Sequence, residues 1–207
     1  MLRPSQRARG FTLIELAIGL MILGILIMAG LPSMRTWLQN SQIRTASDAM
    51  ISGLQLARAE ALRRNTTVRF QLVTDLTASC ALSASGRNWV VSLTDPSGGC
   101  QAAPSETGAG IVQARDASEG TPSAIVSAKN AGATGASLVS FSGLGRVNNA
   151  GAIATIDISN PGGGNCQTVG GGGGPMRCLR IQIGSGGLVR MCDPAVDPAS
   201  TTDTRKC

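Results

Sequence analysis

Residues 11–31 read FTLIELAIGLMILGILIMAGL, a run of 21 residues whose only charge is Glu15. About 20 residues of α-helix are enough to cross the hydrocarbon core of a bilayer. Arg3, Arg7 and Arg9 precede the run, and the positive-inside rule keeps such a basic end in the cytoplasm. No small-residue cleavage site stands at a suitable distance after Leu31, as a secretory signal would require. We therefore expect a retained inner-membrane helix, with residues beyond 33 in the periplasm.

The composition narrows the chemistry that the chain can perform. Its 207 residues leave room for one anchor and one globular domain. There is no His, the side chain that titrates near neutral pH and the commonest metal ligand, and no Tyr. No paired carboxylates occur in a recognisable motif either, so the sequence shows no candidate nucleophile or general base for catalysis. We expect no enzyme activity and no cofactor.

Six cysteines lie beyond the apolar run, none of them in a CxxC pair: Cys80, Cys100, Cys166, Cys178, Cys192 and Cys207. Cysteine-rich domains of this kind are typical of oxidising compartments. A metal site would need thiolates grouped at two- to four-residue spacing, so we expect no metal. Sequence alone does not choose among the possible pairings. We favour Cys80–Cys100, Cys166–Cys178 and Cys192–Cys207.

Apolar residues recur three or four positions apart after Pro32. They are Met34, Trp37, Leu38, Ile43, Ala46, Met50, Leu54, Ala57 and Ala61. This spacing predicts a helix with one buried face. The helix should end near residue 64, because Asn65-Thr66-Thr67 interrupts the pattern.

Period-two alternation predicts strands to cover this helical face. The predicted strands are residues 68–73, 88–93, 124–127, 137–141, 152–159, 179–183 and 188–192. A Gly-Ser-Gly-Gly turn at 184–187 makes a hairpin of the last two. Residues 78–136 carry no motif, and we expect loops and edge strands there. The fold class is α+β, with a long N-terminal helix packed on an antiparallel sheet.

The segment Gly10-Phe11-Thr12-Leu13-Ile14-Glu15 resembles the prepilin peptidase recognition motif of type IV pilins and pseudopilins. The resemblance implies cleavage between Gly10 and Phe11 and methylation of the Phe11 amine. It also implies that Glu15 pairs with the N-terminal amine of a neighbouring subunit during assembly, which relieves the desolvation of both groups. Pro32 stands where type IV pilins commonly carry a proline that bends the helix. A helix that simply ends at Pro32 is the alternative.

A second resemblance lies in the C-terminal third. The stretch 141–147, Phe-Ser-Gly-Leu-Gly-Arg-Val, and the closing stretch 189–194 with its terminal Cys207 are similar to the GspH/FimT group of minor pilins and pseudopilins. The two resemblances imply four regions: a leader at 1–10, a membrane or filament-core helix at 11–31, its amphipathic continuation at 32–66, and a periplasmic β-rich domain at 67–207.

The implied function is that of a minor pilin in the assembly or initiation of a type IV pilus. Its partners would be prepilin peptidase, the inner membrane and other pilins or pseudopilins, which bind through the N-terminal helix. A minor pseudopilin of a type II secretion system shares the same features. The Arg-containing C-terminal hairpin and the Cys192-Asp193-Pro194 ending favour the pilus.

DNA binding for natural transformation is a third hypothesis. Some FimT-like pilins bind DNA through a Gly-Arg-x-Arg motif, and here the matching stretch is Gly187-Leu188-Val189-Arg190, with leucine in place of the first arginine. The formal charge of +6 falls to +3 once the three leader arginines are set aside, which is a weak bias. The candidate phosphate contacts are Arg177, Arg180, Arg190, Arg205 and Lys206. A solvated, charged sheet face is the alternative.

Overall fold

The computed structural model describes residues 12–105, 110–116 and 120–207. It divides into two compact units, Met1–Trp37 and Leu38–Cys207. One helix, α1, runs from Leu13 to Arg64. It ends at Asn65, whose φ of 49° is the left-handed conformation that commonly closes a helix. The predicted end of the helix is therefore confirmed, and because α1 continues through position 32, the alternative of a helix that ends at Pro32 is wrong.

In the described part of the chain, eight strands follow the helix and form two antiparallel sheets. They are β1 Val68–Val73, β2 Asn88–Ser92, β3 Ile111–Arg115, β4 Ile125–Lys129, β5 Leu138–Phe141, β6 Thr155–Ser159, β7 Leu179–Ile183 and β8 Val189–Cys192. The first sheet has the order β3-β2-β1-β5 and the second the order β4-β6-β7-β8. The α+β class and its antiparallel pairing are confirmed, with two sheets in place of the one expected.

All seven predicted strands are present, and the bounds of two of them, those predicted at 124–127 and 152–159, differ by more than one residue. The strand predicted at 152–159 begins at Thr155 because the preceding residues cross between the sheets. The Ile153 N–H donates to the Leu138 oxygen of the first sheet (3.0 Å), and the Ala154 N–H donates to the Lys129 oxygen of the second (2.8 Å). The strand predicted at 124–127 corresponds to β4, which begins one residue later and ends two residues later, at Lys129. The edge strand β3 lies within residues 78–136, where edge strands were expected without stated bounds.

The main core lies where α1 meets both sheets. Six residues of the predicted helical stripe are buried: Ile43, Ala46, Met50, Leu54, Ala57 and Ala61. They pack with inward side chains of both sheets, such as Phe70 and Ile156. The prediction was wrong for Met34, Trp37 and Leu38, which are at least half exposed. The strands therefore cover the stripe only from Ile43 onward.

The first sheet also buries part of its other face. Val73 of β1 and Val90 of β2 point away from α1 into a small second core with Cys80, Cys100 and Ile111. Residues 74–87 and 93–105 cover this face of the sheet, and the Cys80–Cys100 disulfide joins the two segments. A nearby amide, that of Gln71, donates to the Ser92 hydroxyl (2.8 Å) and the Thr94 oxygen (3.0 Å). The sheet is thus sandwiched between the helix and a loop layer.

Three disulfides are present: Cys80–Cys100, Cys166–Cys178 and Cys192–Cys207. These are the pairs favoured from the sequence, and they leave no free cysteine in the described part of the chain. The third closes the C-terminal segment against the end of β8, where the Asp193 N–H donates to the Arg205 oxygen (2.7 Å). Each disulfide stabilises the fold mainly because it lowers the conformational entropy of the unfolded chain.

A carboxylate near the end of α1 makes stability depend on acid pH. Glu60 accepts hydrogen bonds from Arg63 (2.7 Å) and Arg64 (2.8 Å), which lower its pKa to about 2. Because the folded pKa lies below the ordinary value of 4.5, this stabilisation is present above about pH 4.5 and is lost as pH falls toward 2.

We expect acidification from pH 5 to pH 2 to destabilise the wild-type chain by about 1 kcal/mol more than a Glu60→Gln variant, after allowance for solvent screening at the exposed Arg63. Urea denaturation across this pH range measures the difference. In 1 M NaCl the difference should shrink. Equal pH profiles for the two proteins would show that the two ion pairs contribute nothing.

Candidate functional site

The N-terminus of α1 carries a reciprocal cap between Thr12 and Glu15. The Glu15 N–H donates to the Thr12 hydroxyl (3.3 Å), and the Glu15 carboxylate accepts from the Thr12 N–H (3.4 Å). This is a capping box, in which each residue satisfies a free donor of the first helical turn. Within this unit, the Glu15 carboxylate is therefore held beside the start of its own helix. The predicted processing residues, Gly10 and Phe11, lie outside the described residues.

The first half of α1 exposes its apolar side chains on every side. The large apolar residues from Leu13 to Met28 are 51–86% exposed. They are Leu13, Ile14, Leu16, Ile18, Leu20, Met21, Ile22, Leu23, Ile25, Leu26, Ile27 and Met28. The helix is long and apolar enough to cross a membrane, with a mean hydropathy of 2.5. A helix that is apolar all round requires lipid or other helices around it.

Four of the five candidate DNA contacts are occupied within the domain. Arg180 of β7 forms two hydrogen bonds with Asp157, its cross-strand partner in β6 (2.6 and 3.1 Å), which raise the pKa of Arg180. Arg205 pairs with Asp203 (2.7 Å) and lowers the pKa of that carboxyl to about 2. Arg177 lies 3.9 Å from Asp193, and Lys206 donates to the main-chain oxygen of Ser200 (2.6 Å).

Arg190, like Lys206, has only neutral acceptors, and it is the one arginine of the five candidates with no aspartate within 4 Å in the described residues. It donates to the Gln182 side-chain oxygen (2.9 Å) and to the main-chain oxygen of Cys207 (3.5 Å). Since Gln182 is the cross-strand neighbour of Arg190, the β7–β8 register fixes this contact. The structure therefore does not bring the five basic residues together as one group of unpaired charges.

Two turns of the domain touch each other. Residues 142–146 follow β5, and residues 184–188 connect β7 to β8. Gly145 and Gly187 have positive φ angles, +72° and +80°, and a Cβ added to Gly187 would overlap the Gly145 carbonyl oxygen. The Val147 N–H also donates to the Ser185 oxygen (3.1 Å). We call residues 142–146 and 184–188 the turn pair. It joins the two sheets and contains much of the C-terminal sequence motif.

The acidic and cysteine side chains of the described residues do not form a metal site. Among residues 12–105, 110–116 and 120–207, no group of three or more Cys, Asp or Glu side chains is placed to hold a metal ion. The described features are an exposed apolar helix and a β domain with three disulfides.

The family model of the type II transport protein GspH matches residues 46–187, which include most of the packed half of α1 and strands β1 to β7. The chain belongs to the GspH family. Another model, the prokaryotic N-terminal methylation motif, matches residues 5–31 of this GspH-family chain. The resemblance to type IV pilins and pseudopilins, whose members are structural subunits, is thus confirmed by two separate matches.

Two crystal structures of the type IV minor pilin FimU from Pseudomonas aeruginosa are similar to this GspH-family chain. One has a TM-score of 0.45 at 14% identity and covers 76% of this chain and 98% of FimU. The other has a TM-score of 0.46 at 15% identity and covers 79% and 98%. No curated protein sequence matches the chain.

The sequence predictions missed two features of the GspH-family chain. The first is Thr12 as the partner of Glu15, although the T-x-x-E spacing of a capping box could have revealed it. The second is Arg58, whose guanidinium lies beside both glycines of the turn pair. No local signal identifies Arg58, because its neighbours are distant in sequence. The role of Pro32 in bending the helix stays a prediction.

Proposed function

We propose that this GspH-family chain is a minor pilin, a structural subunit in the assembly or initiation of a type IV pilus. Prepilin peptidase would cleave between Gly10 and Phe11, and the Phe11 amine would then be methylated. The match of residues 5–31 to the N-terminal methylation motif carries the proposal. The exposed apolar surface of α1 supports it, because such a surface is compatible with a membrane and with a bundle of similar helices.

The proposed location is the inner membrane, followed by the filament. The arginines at 3, 7 and 9 favour a cytoplasmic N-terminus. Three disulfides beyond the helix favour an oxidising periplasm for the β domain. The regions proposed from the sequence, 1–10, 11–31, 32–66 and 67–207, describe the leader, the membrane helix, its continuation and the periplasmic domain.

Glu15 is the proposed assembly residue. In the described chain its carboxylate has only Thr12 as a hydrogen-bond partner, through contacts of 3.4 Å, which are long for hydrogen bonds. The positive amine of a neighbouring processed subunit offers a charged partner in its place. Replacement of Thr12 by this amine as the partner of Glu15 would favour the filament over the isolated subunit in the membrane.

A minor pseudopilin of a type II secretion system is the second candidate. The description of the matching family as a type II transport protein favours it. Deletion of the gene distinguishes the two. If the chain is a minor pilin, the deletion should lower the number of surface pili and leave secretion unchanged. If it is a pseudopilin, the deletion should abolish secretion of type II substrates and leave the pili unchanged.

Intact mass and N-terminal sequencing of the membrane-purified protein test the common part of the proposal. We expect a chain that starts at a methylated Phe11 in cells with prepilin peptidase and at Met1 in cells without it. A Glu15→Leu variant should be processed in the same way and yet be missing from sheared filaments. An unprocessed Met1 start in cells with the peptidase, or a start after Leu31, would contradict the proposal.

A further inference from the structure

The turn pair presents three exposed leucines. Leu144 is 77% exposed, Leu188 66% and Leu62, in the last turns of α1, 51%. Leu144 precedes Gly145 and Leu188 follows Gly187, and these two glycines are in contact. The Leu62 methyl groups would lie 3.4 Å from a Cβ on Gly145. The three side chains therefore belong to one surface, and contiguous exposed apolar surface commonly marks a binding site.

Three arginines accompany these leucines. Arg58 lies against both glycines, and its Nε is buried without a hydrogen-bond partner in the described part of the chain. Arg146 is exposed in the first turn, and Arg190 follows the second and has only neutral acceptors. Within the described ranges none of the three forms an ion pair, whereas Arg180 and Arg205 each have an aspartate. The positive charge at this surface is therefore uncompensated by the domain itself.

We propose that this leucine–arginine surface, formed by Arg58, Leu62, Leu144, Arg146, Leu188 and Arg190, binds the globular domain of a neighbouring filament subunit through an apolar patch bordered by carboxylates. The inference rests on the proposed function as a filament subunit. Charge complementarity specifies the partner: the arginines lack carboxylates, and charge-assisted hydrogen bonds to carboxylates are roughly twice as strong as neutral ones.

A protein fits this surface better than a nucleic acid does. Burial of an exposed leucine contributes about 1.5–3 kcal/mol when it is complete, and a phosphate backbone offers little apolar surface for that burial. Proteins that bind single-stranded nucleic acid without sequence preference stack bases on aromatic side chains, and none of the six residues is aromatic. A partly buried guanidinium such as Arg58 also gains most from a fixed carboxylate in a water-excluding interface.

Site-specific photo-crosslinking in the cells that produce the full chain tests this surface. A benzoylphenylalanine at Leu144 or Leu188 should give an adduct with one other subunit that carries the N-terminal methylation motif. The same residue at Ile125, which is 46% exposed on β4, is the matched control and should give no such adduct. Arg190→Glu should lower the adduct yield about tenfold, as expected for loss of a buried charge pair. Arg205→Ala, which removes an arginine already paired with Asp203, should leave it unchanged.

The cross-linked peptide of the partner identifies the complementary charge. It should contain Asp or Glu, and exchange of that residue for Lys should restore the adduct of the Arg190→Glu variant. Adducts with DNA alone, no adduct at either leucine, or equal adducts at Ile125 would overturn the proposal.

A crosslinker at Ile18 in α1 separates failure of this inference from failure of the proposed function. If Ile18 forms adducts with other subunits while Leu144 and Leu188 do not, the chain is a filament subunit and the leucine–arginine surface is not its interface. If Ile18 forms no adduct with any subunit, the proposed function is itself wrong, and the interface proposal fails with it.

Discussion

A Gly187→Ala substitution should lower the free energy of unfolding by about 3 kcal/mol. Two costs combine in this effect. The φ of +80° at Gly187 is costly for any residue with a Cβ, by about 1–2 kcal/mol, and the added methyl group would overlap the Gly145 carbonyl oxygen, which is backbone and has little room to move. Urea denaturation of the detergent-solubilised chain, followed by tryptophan fluorescence, measures the change.

Gly186→Ala is the matched control for this substitution. Gly186 is the preceding residue of the same turn, yet a Cβ there meets nothing within 4 Å. Its effect should stay within about 0.5 kcal/mol, as for most surface substitutions. Equal effects at the two positions would mean that the close approach of the two turns does not hold the sheets together.

A Leu54→Ala substitution should destabilise the domain by about 3 kcal/mol. Leu54 is fully buried where α1 meets the sheets, and truncation of such a side chain loses both its transfer free energy and the contacts around the resulting cavity. The same denaturation experiment measures the loss.

Leu62→Ala provides the comparison on the same helix. Leu62 is 51% exposed, so the identical chemical change should cost less than about 1 kcal/mol. The two variants have the same difference in helix propensity, and the difference between them therefore measures burial alone. A large loss at Leu62 would show that its surface is already covered within the isolated chain.

The helix could be predicted almost completely from the sequence, because the signals are local. An apolar run of 21 residues, a regular stripe and the Asn65-Thr66-Thr67 break are all visible in adjacent residues. Met34, Trp37 and Leu38 fit the stripe equally well, but their exposure depends on how far the strands extend along α1. The extent of the strands along α1 is a property of the tertiary structure, and the periodicity of the sequence does not report it.

Whether each arginine is paired with a carboxylate could not be predicted either, because the pairing also depends on tertiary structure. Arg180 is neutralised by Asp157 because the β6–β7 register places the two side chains opposite each other, 23 residues apart in sequence. Arg190 has no such partner because its opposite residue is Gln182. A list of basic residues therefore overstated the free charge on the sheet and missed Arg58 at the turn pair.

The positions of the three disulfides determine how the chain would respond to a pulling force. All of them lie between Cys80 and Cys207, and α1 contains no cysteine. A pulling force on the helix therefore reaches the strands through side-chain packing from Ile43 to Ala61 and through the single backbone connection at Asn65. The disulfides therefore resist unfolding of the β domain under force. The contact between the domain and the helix is non-covalent, and its resistance to shear is set by side-chain packing.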